Sequence, residues 1–491
     1  MKEIKEAQEV SGILRSLSVT NRLKYIEKLK ETILADRESI MDRIQSETGK
    51  SRSDALVSEI FGVLDHLTYL VKNGKRILAD KKVSTPIALM GKKSKIYYEP
   101  MGVILIISPW NYPFYQAIVP ITAAFLAGNV VIYKPSEYTP MNGLLEEVLE
   151  KAGFEKSWVQ IVYGDGQKGA ELIDQIPDRI FFTGSERTGK KIMAQASEHL
   201  IPVELELGGK DPMIVFEDVT IQRAAAGAVW GGITCLGQSC TSVERIYVQS
   251  SIFNEFKEEL IRQVKAIKQE TDSDGDADVG GMTTDFQVDI IGELWKDAKE
   301  KKASFHPDSW DGKSKMIPPM VVDNISDDMK LMDEEIFGPL LPIIPFETEE
   351  EAIKMANDSL YGLSASVWSK DLKRADRVAR AIVTGNVSIN NVMLTEGNPA
   401  LPFGGIRNSG FGRYKGEMGL HSFCNIKSIL IDSDSSTIES NWFPYTKKKY
   451  ELFSAMTVNL FSKGISSFIK FAITGLKLES YSNKVGKKGR E

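Results

Sequence analysis

Cys240 stands in the segment GQSCTS, and its chemistry is the first to require a partner. A thiolate attacks a carbonyl carbon readily and forms an acyl thioester. A lone thiol is also a common small apolar core group, so its companions decide between the two. Glu206 lies in ELELGGK, where a strand-like run ends before two glycines. A carboxylate at the carboxyl end of a strand points to the crevice where α/β proteins bind ligands. At a surface turn the same residue would be ordinary. Asn111, in SPWNYP, follows another strand-like run. Its amide N–H can donate to an oxyanion, or the residue can simply form a turn. Thiol, carboxylate and amide donor together are what acyl transfer through a thioester requires.

Two glycine-rich turns are candidates for holding a phosphate. GDGQKG (164–169) fits the G-x-G-x-x-G spacing after a strand. TGSERTG (183–189) also lies between a strand and a helix. There Gly184 permits close backbone approach, and Ser185 can cap the helix or donate to phosphate. Either turn could hold a pyrophosphate, and spacing alone does not choose.

These residues need a scaffold. Apolar runs at 103–107, 130–133, 159–163, 179–183, 202–206 and 212–216 lack polar alternation, as strands buried on both faces do. Segments 112–128 and 141–152 have the length of crossover helices. The pattern predicts a doubly wound α/β domain. Strands are also expected at 95–99 and 245–248, and helices at 220–235, 251–270 and 349–358. Residues 1–80 read as charged helices. One is expected to be capped by Thr20 or Asn21, with Leu23, Ile26, Leu29 and Ile33 at helical spacing. The acidic stretch 271–278 superficially resembles a calcium loop. It lacks the closing Glu, and a solvated turn is the better reading.

Bulk properties exclude several classes. A chain of 491 residues is expected to form two large lobes. A net charge of −6 argues against a nucleic-acid binder. Three cysteines make no disulfide framework, and four scattered histidines offer no metal site. The start has no secretory pattern and no apolar run reaches spanning length, so a cytoplasmic protein is expected.

The segments SPWNYP, YKPSE, FTGSERTG, LELGGKDP, GQSC, EEIFGP and LPFGGIRNSGFGR run in order from residue 108 to 413. In this series the chain resembles the aldehyde dehydrogenase superfamily, nearest to its class-three and fatty-aldehyde branch. The resemblance implies the aldehyde dehydrogenase fold, with a doubly wound cofactor domain, an α/β catalytic domain and a small bridging sheet. The expected bounds are 1–80 with 103–208 for the cofactor domain and 209–415 for the catalytic domain. Residues 81–102 with 416–435 are expected as bridging strands, and 436–491 as an extension. The implied activity is oxidation of an aldehyde to a carboxylate with NAD, NADP being the open alternative.

Roles follow from the same resemblance. Cys240 matches the nucleophile, Glu206 the general base and Asn111 the oxyanion donor. Lys134 and Glu137 match residues at the adenosine ribose, and Ser185, on the turn opened by Gly184, the pyrophosphate contact. Trp110, Glu335 and Phe337 match positions around the nicotinamide and its ribose, and Gly208 lies in the same cofactor-side motif. A homo-oligomer, dimer or tetramer, is expected. One departure is that Tyr414 stands where many members carry a second Glu, so no relay through that Glu is supported. Ser239 precedes the nucleophile, leaving Cys240 without an adjacent thiol. Two alternatives are a CoA-acylating relative, disfavoured by Glu206, and a non-catalytic scaffold, disfavoured by the intact Cys240, Glu206 and Asn111.

The extension is basic. From Asn441 onward nine Lys and one Arg face three Glu, a balance of +7, so the remainder carries −13. On a helical wheel of 460–477, Lys463, Ser467, Lys470, Thr474 and Lys477 share one face. Phe461, Ile465, Phe468, Ile469, Ala472 and Leu476 share the other. A basic amphipathic helix of this kind fits a membrane surface, or packs on the body or a second subunit. With it comes an expectation of an apolar substrate of medium or long chain.

Overall fold

The computed structural model describes residues 3–271, 274–433 and 436–488. Strands are numbered along the chain. Runs such as VILII and VVIYK are buried along their whole length, which suits them to the middle of a parallel sheet covered on both faces. They become β3 (Val103–Ile107) and β4 (Val130–Lys134), flanked by β5 (Val159–Ile161), β6 (Arg179–Thr183), β7 (Val203–Glu206) and the short β15 (Gly410–Phe411). The strand order is β15-β7-β6-β3-β4-β5. All pairs are parallel except β15 with β7. The chain starts at β3, runs outward through β4 and β5, then crosses to β6 and β7. The order therefore reverses between β3 and β6, the place where open α/β sheets bind ligands. The expected crossover helices are Tyr115–Ala127 and Leu144–Lys151.

A second sheet contains β8 (Asp211–Val215), β9 (Val243–Gln249), β10 (Ser304–His306), β11 (Met320–Asp323), β12 (Leu340–Phe346), β13 (Ser364–Trp368) and β14 (Asn386–Ile389). Its order is β10-β11-β12-β9-β8-β13-β14. Only β10 runs antiparallel to its neighbour. The expected helices of this region are Ile221–Ile233, Phe253–Lys265 and Glu349–Asn357. A third sheet joins β1 (Lys81–Val83), β2 (Lys93–Pro100) and β16 (Cys424–Ile431), in the order β1-β2-β16.

Two compact units result: Met1–Lys81 with Ile96–Lys427, and Lys82–Lys95 with Ser428–Glu491. The two large sheets share the first unit. Residues 410–411, expected within the catalytic segment, return to the edge of the first sheet and pair with Glu206 and Leu205.

Two local expectations, a helix cap and the extension, differ from the structure, and a third falls partly outside the described residues. The long helix Val19–Thr48 is capped by Ser18, not by Thr20 or Asn21; the Ser18 hydroxyl accepts from the Asn21 N–H at 3.2 Å. Ser18 has the extended backbone a cap requires, while the other two already lie inside the helix. The extension forms two helices, Lys447–Phe461 and Ile465–Lys488, instead of one across 460–477. Ser462 turns extended and Gly464 takes φ +112°, which ends the helical path between them. In the 271–278 loop, Asp272 and Ser273 lie outside the described residues. Asp276 is paired with Lys268, and Asp278 accepts from the Lys268 N–H at 2.8 Å. Among the described residues no group of three or more acidic, His or Cys side chains is placed to hold a metal.

Candidate active site

The amino-terminal helices do more than cover the sheet. Lys50 and Glu59 form a buried ion pair at 2.6 Å. The second Glu59 oxygen accepts from the N–H groups of Phe114 and Tyr115, at 2.8 and 3.1 Å, where the helix Tyr115–Ala127 begins. A carboxylate at that helix end satisfies otherwise orphaned donors. The Lys50 ammonium lies 3.9 Å from the Tyr112 ring centroid. The SPWNYP loop that carries Trp110 and Asn111 is thus fixed from outside the sheet.

The turn before the thiol is held in the same way. Asp54 accepts from the Thr234 hydroxyl at 2.9 Å and from the Cys235 N–H. Cys235, Leu236 and Gly237 follow with φ of 54°, 53° and 74°. Two non-glycine residues in the left-handed region are costly and persist only where surroundings over-determine them. Here Gly237 abuts Gly338: a Cβ on Gly237 would fall 2.3 Å from the Gly338 carbonyl oxygen. The Gln238 side chain donates to Cys235 O at 2.8 Å and accepts from the Thr283 N–H at 2.9 Å. Cys235 itself is buried, its thiol pushed up to about 12 by burial, so it packs and does not react.

Cys240 follows this turn. The Asn111 amide donates to the Gln238 carbonyl at 2.9 Å, two residues before the thiol. Glu206 ends β7, and its two carboxylate oxygens are buried without a protein partner. Gly208 and Gly209 come next. A Cβ on Gly209 would sit 2.6 Å from the Cys240 carbonyl oxygen. The structure therefore brings Asn111, Glu206 and Cys240 to one place. Burial, then the carboxyl groups of Glu396, Glu335, Asp211 and Glu206, push the Cys240 thiol well above its usual range. Burial, then Glu204, push the Glu206 carboxyl well up too, against the opposing charges of Arg413 and Lys415. Both shifts favour the protonated forms in the free chain. A cation arriving beside them lowers both values.

Of the residues expected on the cofactor side, Trp110, Lys134, Glu137, Ser185 and Gly208 stand at or just after the carboxyl ends of first-sheet strands, and Glu335 and Phe337 precede β12 of the second sheet. Lys134 ends β4, donates to Pro135 O at 3.1 Å and stands 3.7 Å from Glu137. Burial lowers its pKa, against the attraction of Glu137. Ser185 caps the helix Glu186–Ser197, accepting from the Thr188 N–H at 3.4 Å. Of the two glycine turns, GDGQKG is stopped by Asp165, whose carboxylate occupies the N–H groups of Gln167 and Lys168. Gly208 lacks a side chain where the Glu335 carboxylate arrives: a Cβ would fall 2.2 Å from it. Glu335 accepts from the Gly209 N–H at 3.1 Å. Trp110 and Phe337 meet edge to face with centroids 5.5 Å apart. A helix N-terminus, a carboxylate beside a buried lysine and two aromatic rings are groups that a nicotinamide dinucleotide can use.

Several organising residues were not visible in the sequence. Lys210 and Glu244 form a second buried pair at 2.8 Å. Glu244 also accepts from the N–H groups of Ile336 and Phe337, at 2.9 and 2.8 Å, and so ties the EEIFGP loop to the strand after Cys240. Glu396 accepts from the Thr241 hydroxyl at 3.2 Å, and Lys415 donates to Glu396 O at 2.6 Å. A Lys or Glu in the sequence gives no sign of burial, because the partners found here stand 19 to 155 residues away.

Comparison with known proteins agrees with this geometry. Residues 1–429 match the Aldehyde dehydrogenase family. The 4,4'-diapolycopene aldehyde oxidase of Methylomonas sp is 43% identical over 454 residues, 92% of this chain and 85% of that protein. The 4,4'-diaponeurosporen-aldehyde dehydrogenase of Staphylococcus aureus is 32% identical over 444 residues, covering 90% and 95%. A crystal structure of betaine aldehyde dehydrogenase from Staphylococcus aureus in complex with NAD+ superposes with a TM-score of 0.83 at 32% identity, covering 90% of this chain and 89% of that one. The chain belongs to the aldehyde dehydrogenase family, oxidoreductases that act on aldehydes with a nicotinamide cofactor.

Proposed function

We propose that this enzyme oxidises an apolar aldehyde of medium or long chain to its carboxylate, through a thioester on Cys240 that water cleaves with Glu206 as base. The observation that carries the mechanism is the convergence of Cys240, Glu206 and Asn111 on the Gly208–Gly209 segment. The thiol proton passes to solvent water, with or without Glu206 as its relay, so that Glu206 is free to act as base again. The thiolate sulfur bonds to the aldehyde carbon, and its oxygen becomes an alkoxide. The Asn111 amide, whose second N–H is not used by Gln238, and the Cys240 N–H hold that charge. A bound nicotinamide supplies the hydride acceptor. Trp110, Glu335 and Phe337 would hold its ring and ribose. Loss of the aldehyde hydride to that acceptor turns the alkoxide into the thioester. Glu206 then takes a proton from water, whose oxygen attacks the thioester carbon; the C–S bond breaks, and the carboxylate and the Cys240 thiolate are released.

Two relatives, named for 4,4'-diapolycopene aldehyde and 4,4'-diaponeurosporen-aldehyde, support the apolar substrate class. A kcat/KM series over aliphatic, aromatic and acidic aldehydes, each with NAD and NADP, tests it. Values should rise with aliphatic chain length. NAD should be preferred, because Glu137 places a carboxylate where a 2′-phosphate would sit, with Lys134 offsetting part of the repulsion. Equal rates from short to long chains would remove the substrate class, and equal kcat/KM with NADP would remove the role of Glu137.

The extension supports membrane-surface contact. Its helix pair is internally packed: the Thr446 and Tyr481 hydroxyls meet at 3.0 Å, Lys449 is buried and donates to Trp442 O, and Leu478 is buried. Yet Phe461, Ile465, Phe468, Ile469 and Leu476 stay exposed, Phe461 and Ile465 at 80% and 82%. Lys463, Lys470 and Lys477 are exposed beside them. No helix among the described residues is long and apolar enough to cross a membrane. Apolar side chains entering the interface with lysines at anionic headgroups, each adding about 1 kcal/mol at most, suit reversible binding that salt weakens. The full chain should therefore co-sediment with anionic liposomes at low salt, and a chain truncated after Asp432 should not. Both remaining in the supernatant would assign this face to a second subunit of a dimer or tetramer.

A further inference from the structure

Lys415 is a buried cation at the aldehyde site with no role in the reaction described above. Its side chain is 1% exposed. Its Nζ donates to Glu396 O at 2.6 Å and stands 3.9 Å from the Glu396 carboxylate. The ring centroids of Tyr115, Phe403 and Tyr414 lie 5.0, 5.3 and 5.3 Å from it. Connections close a circle around the reacting groups. Thr241, next to the nucleophile, donates to Glu396, which holds Lys415. Tyr414 is laddered to Phe403 by hydrogen bonds of 2.8 and 2.9 Å. Gly404 follows Phe403, and a Cβ there would fall 2.8 Å from a Glu206 oxygen. Burial lowers the Lys415 pKa, against the opposing attraction, in order, of Glu396, Cys240 and Glu206.

We propose that Lys415 makes the site charge-selective: its ammonium, seated among Tyr115, Phe403 and Tyr414 beside the nucleophile, turns away aldehydes that carry a positive charge near the carbonyl. The proposal rests on the aldehyde-oxidising reading. The physical reason is twofold. The three ring faces that could attract a cationic substrate already serve the chain's own ammonium. Like charges about 6 Å apart at an effective dielectric of about 20 also repel strongly enough for roughly a 100-fold effect on kcat/KM. Without the ammonium, the Glu396 carboxylate beside it is left uncompensated and the preference reverses in sign.

Betaine aldehyde and 3,3-dimethylbutanal test this, because they have the same shape and differ by one positive charge. The full-length enzyme with NAD should favour the neutral aldehyde by on the order of 100-fold in kcat/KM. Lys415→Met, close in volume, should shrink that ratio at least about tenfold, whatever its absolute rate. A second measurement needs no variant and no turnover. Cys240 in the wild type should react faster with an anionic methanethiosulfonate than with a cationic trimethylammonium one, after normalising each to free cysteine. A wild type that oxidises both aldehydes within about threefold, an unchanged ratio in Lys415→Met, or a labelling preference for the cationic reagent each overturns the proposal. If neither aldehyde is oxidised while the anionic labelling preference is present, the aldehyde reading fails and the charge assignment stands.

Discussion

Cys240→Ser should lose aldehyde oxidation by roughly 10³-fold or more in kcat, on the scale seen when a nucleophile is deleted, while NAD binding persists. A hydroxyl in this site is far less acidic than a thiol, and burial with Glu204 raises the Glu206 carboxyl, not far enough to ionise an alcohol. Nothing else can replace the sulfur. Cys235 is buried in its strained turn with its thiol pushed up to about 12, and Cys424 is buried with its thiol likewise raised to about 12. The cofactor contacts proposed for Lys134, Glu137, Ser185 and Glu335 are untouched by the change. Initial NADH formation and NAD titration by fluorescence quenching check both halves. A serine variant within tenfold of wild type would remove Cys240 from the nucleophile's role.

Glu206→Gln should lower steady-state turnover by about 10²-fold or more, the usual scale for a general base. The variant is isosteric, and Glu206 has no protein hydrogen bond to lose, so the fold should be retained. The pH dependence follows from the raised carboxyl. Glu206 acts as a base only when ionised, so wild-type activity should fall as pH drops through a value above the ordinary carboxylate range, and recover above it. Glu206→Gln should lose that limb of the profile. An unchanged limb would assign the titration to another group, with the Cys240 thiol the first to consider, since burial and the neighbouring carboxyls raise it as well.

The sheet strands were readable because burial on both faces leaves runs such as VILII, with no polar residue to mark a solvent side. The thiol, the carboxylate and the amide were readable because each follows a strand or turn that chain order makes visible. What holds them was not. Glu59 and Asp54 lie in the amino-terminal helices and Lys50 in the short link between two of them, where a charged residue ordinarily signals a solvated face, yet they hold the loops of Asn111 and Cys240. Glu244 and Lys210 read as strand-end charges, and their pairing appears only when β8 and β9 lie side by side. Helix ends were misplaced where one residue decides the path: Ser18 at the cap, and Gly464, whose left-handed backbone makes two helices of an apparent one. The GDGQKG turn matched a phosphate fingerprint, yet Asp165 claims its open N–H groups, an outcome spacing cannot show.

The central claim is the thioester on Cys240. It is tested most directly by acid-quenching Glu206→Gln in the first turnovers with NAD and decanal, digesting the protein and weighing the peptide that contains Cys240. The expected result is that peptide carrying the decanoyl group, in an amount matching the NADH formed. NADH formation with the Cys240 peptide unmodified, or with the acyl group on another residue, would contradict it.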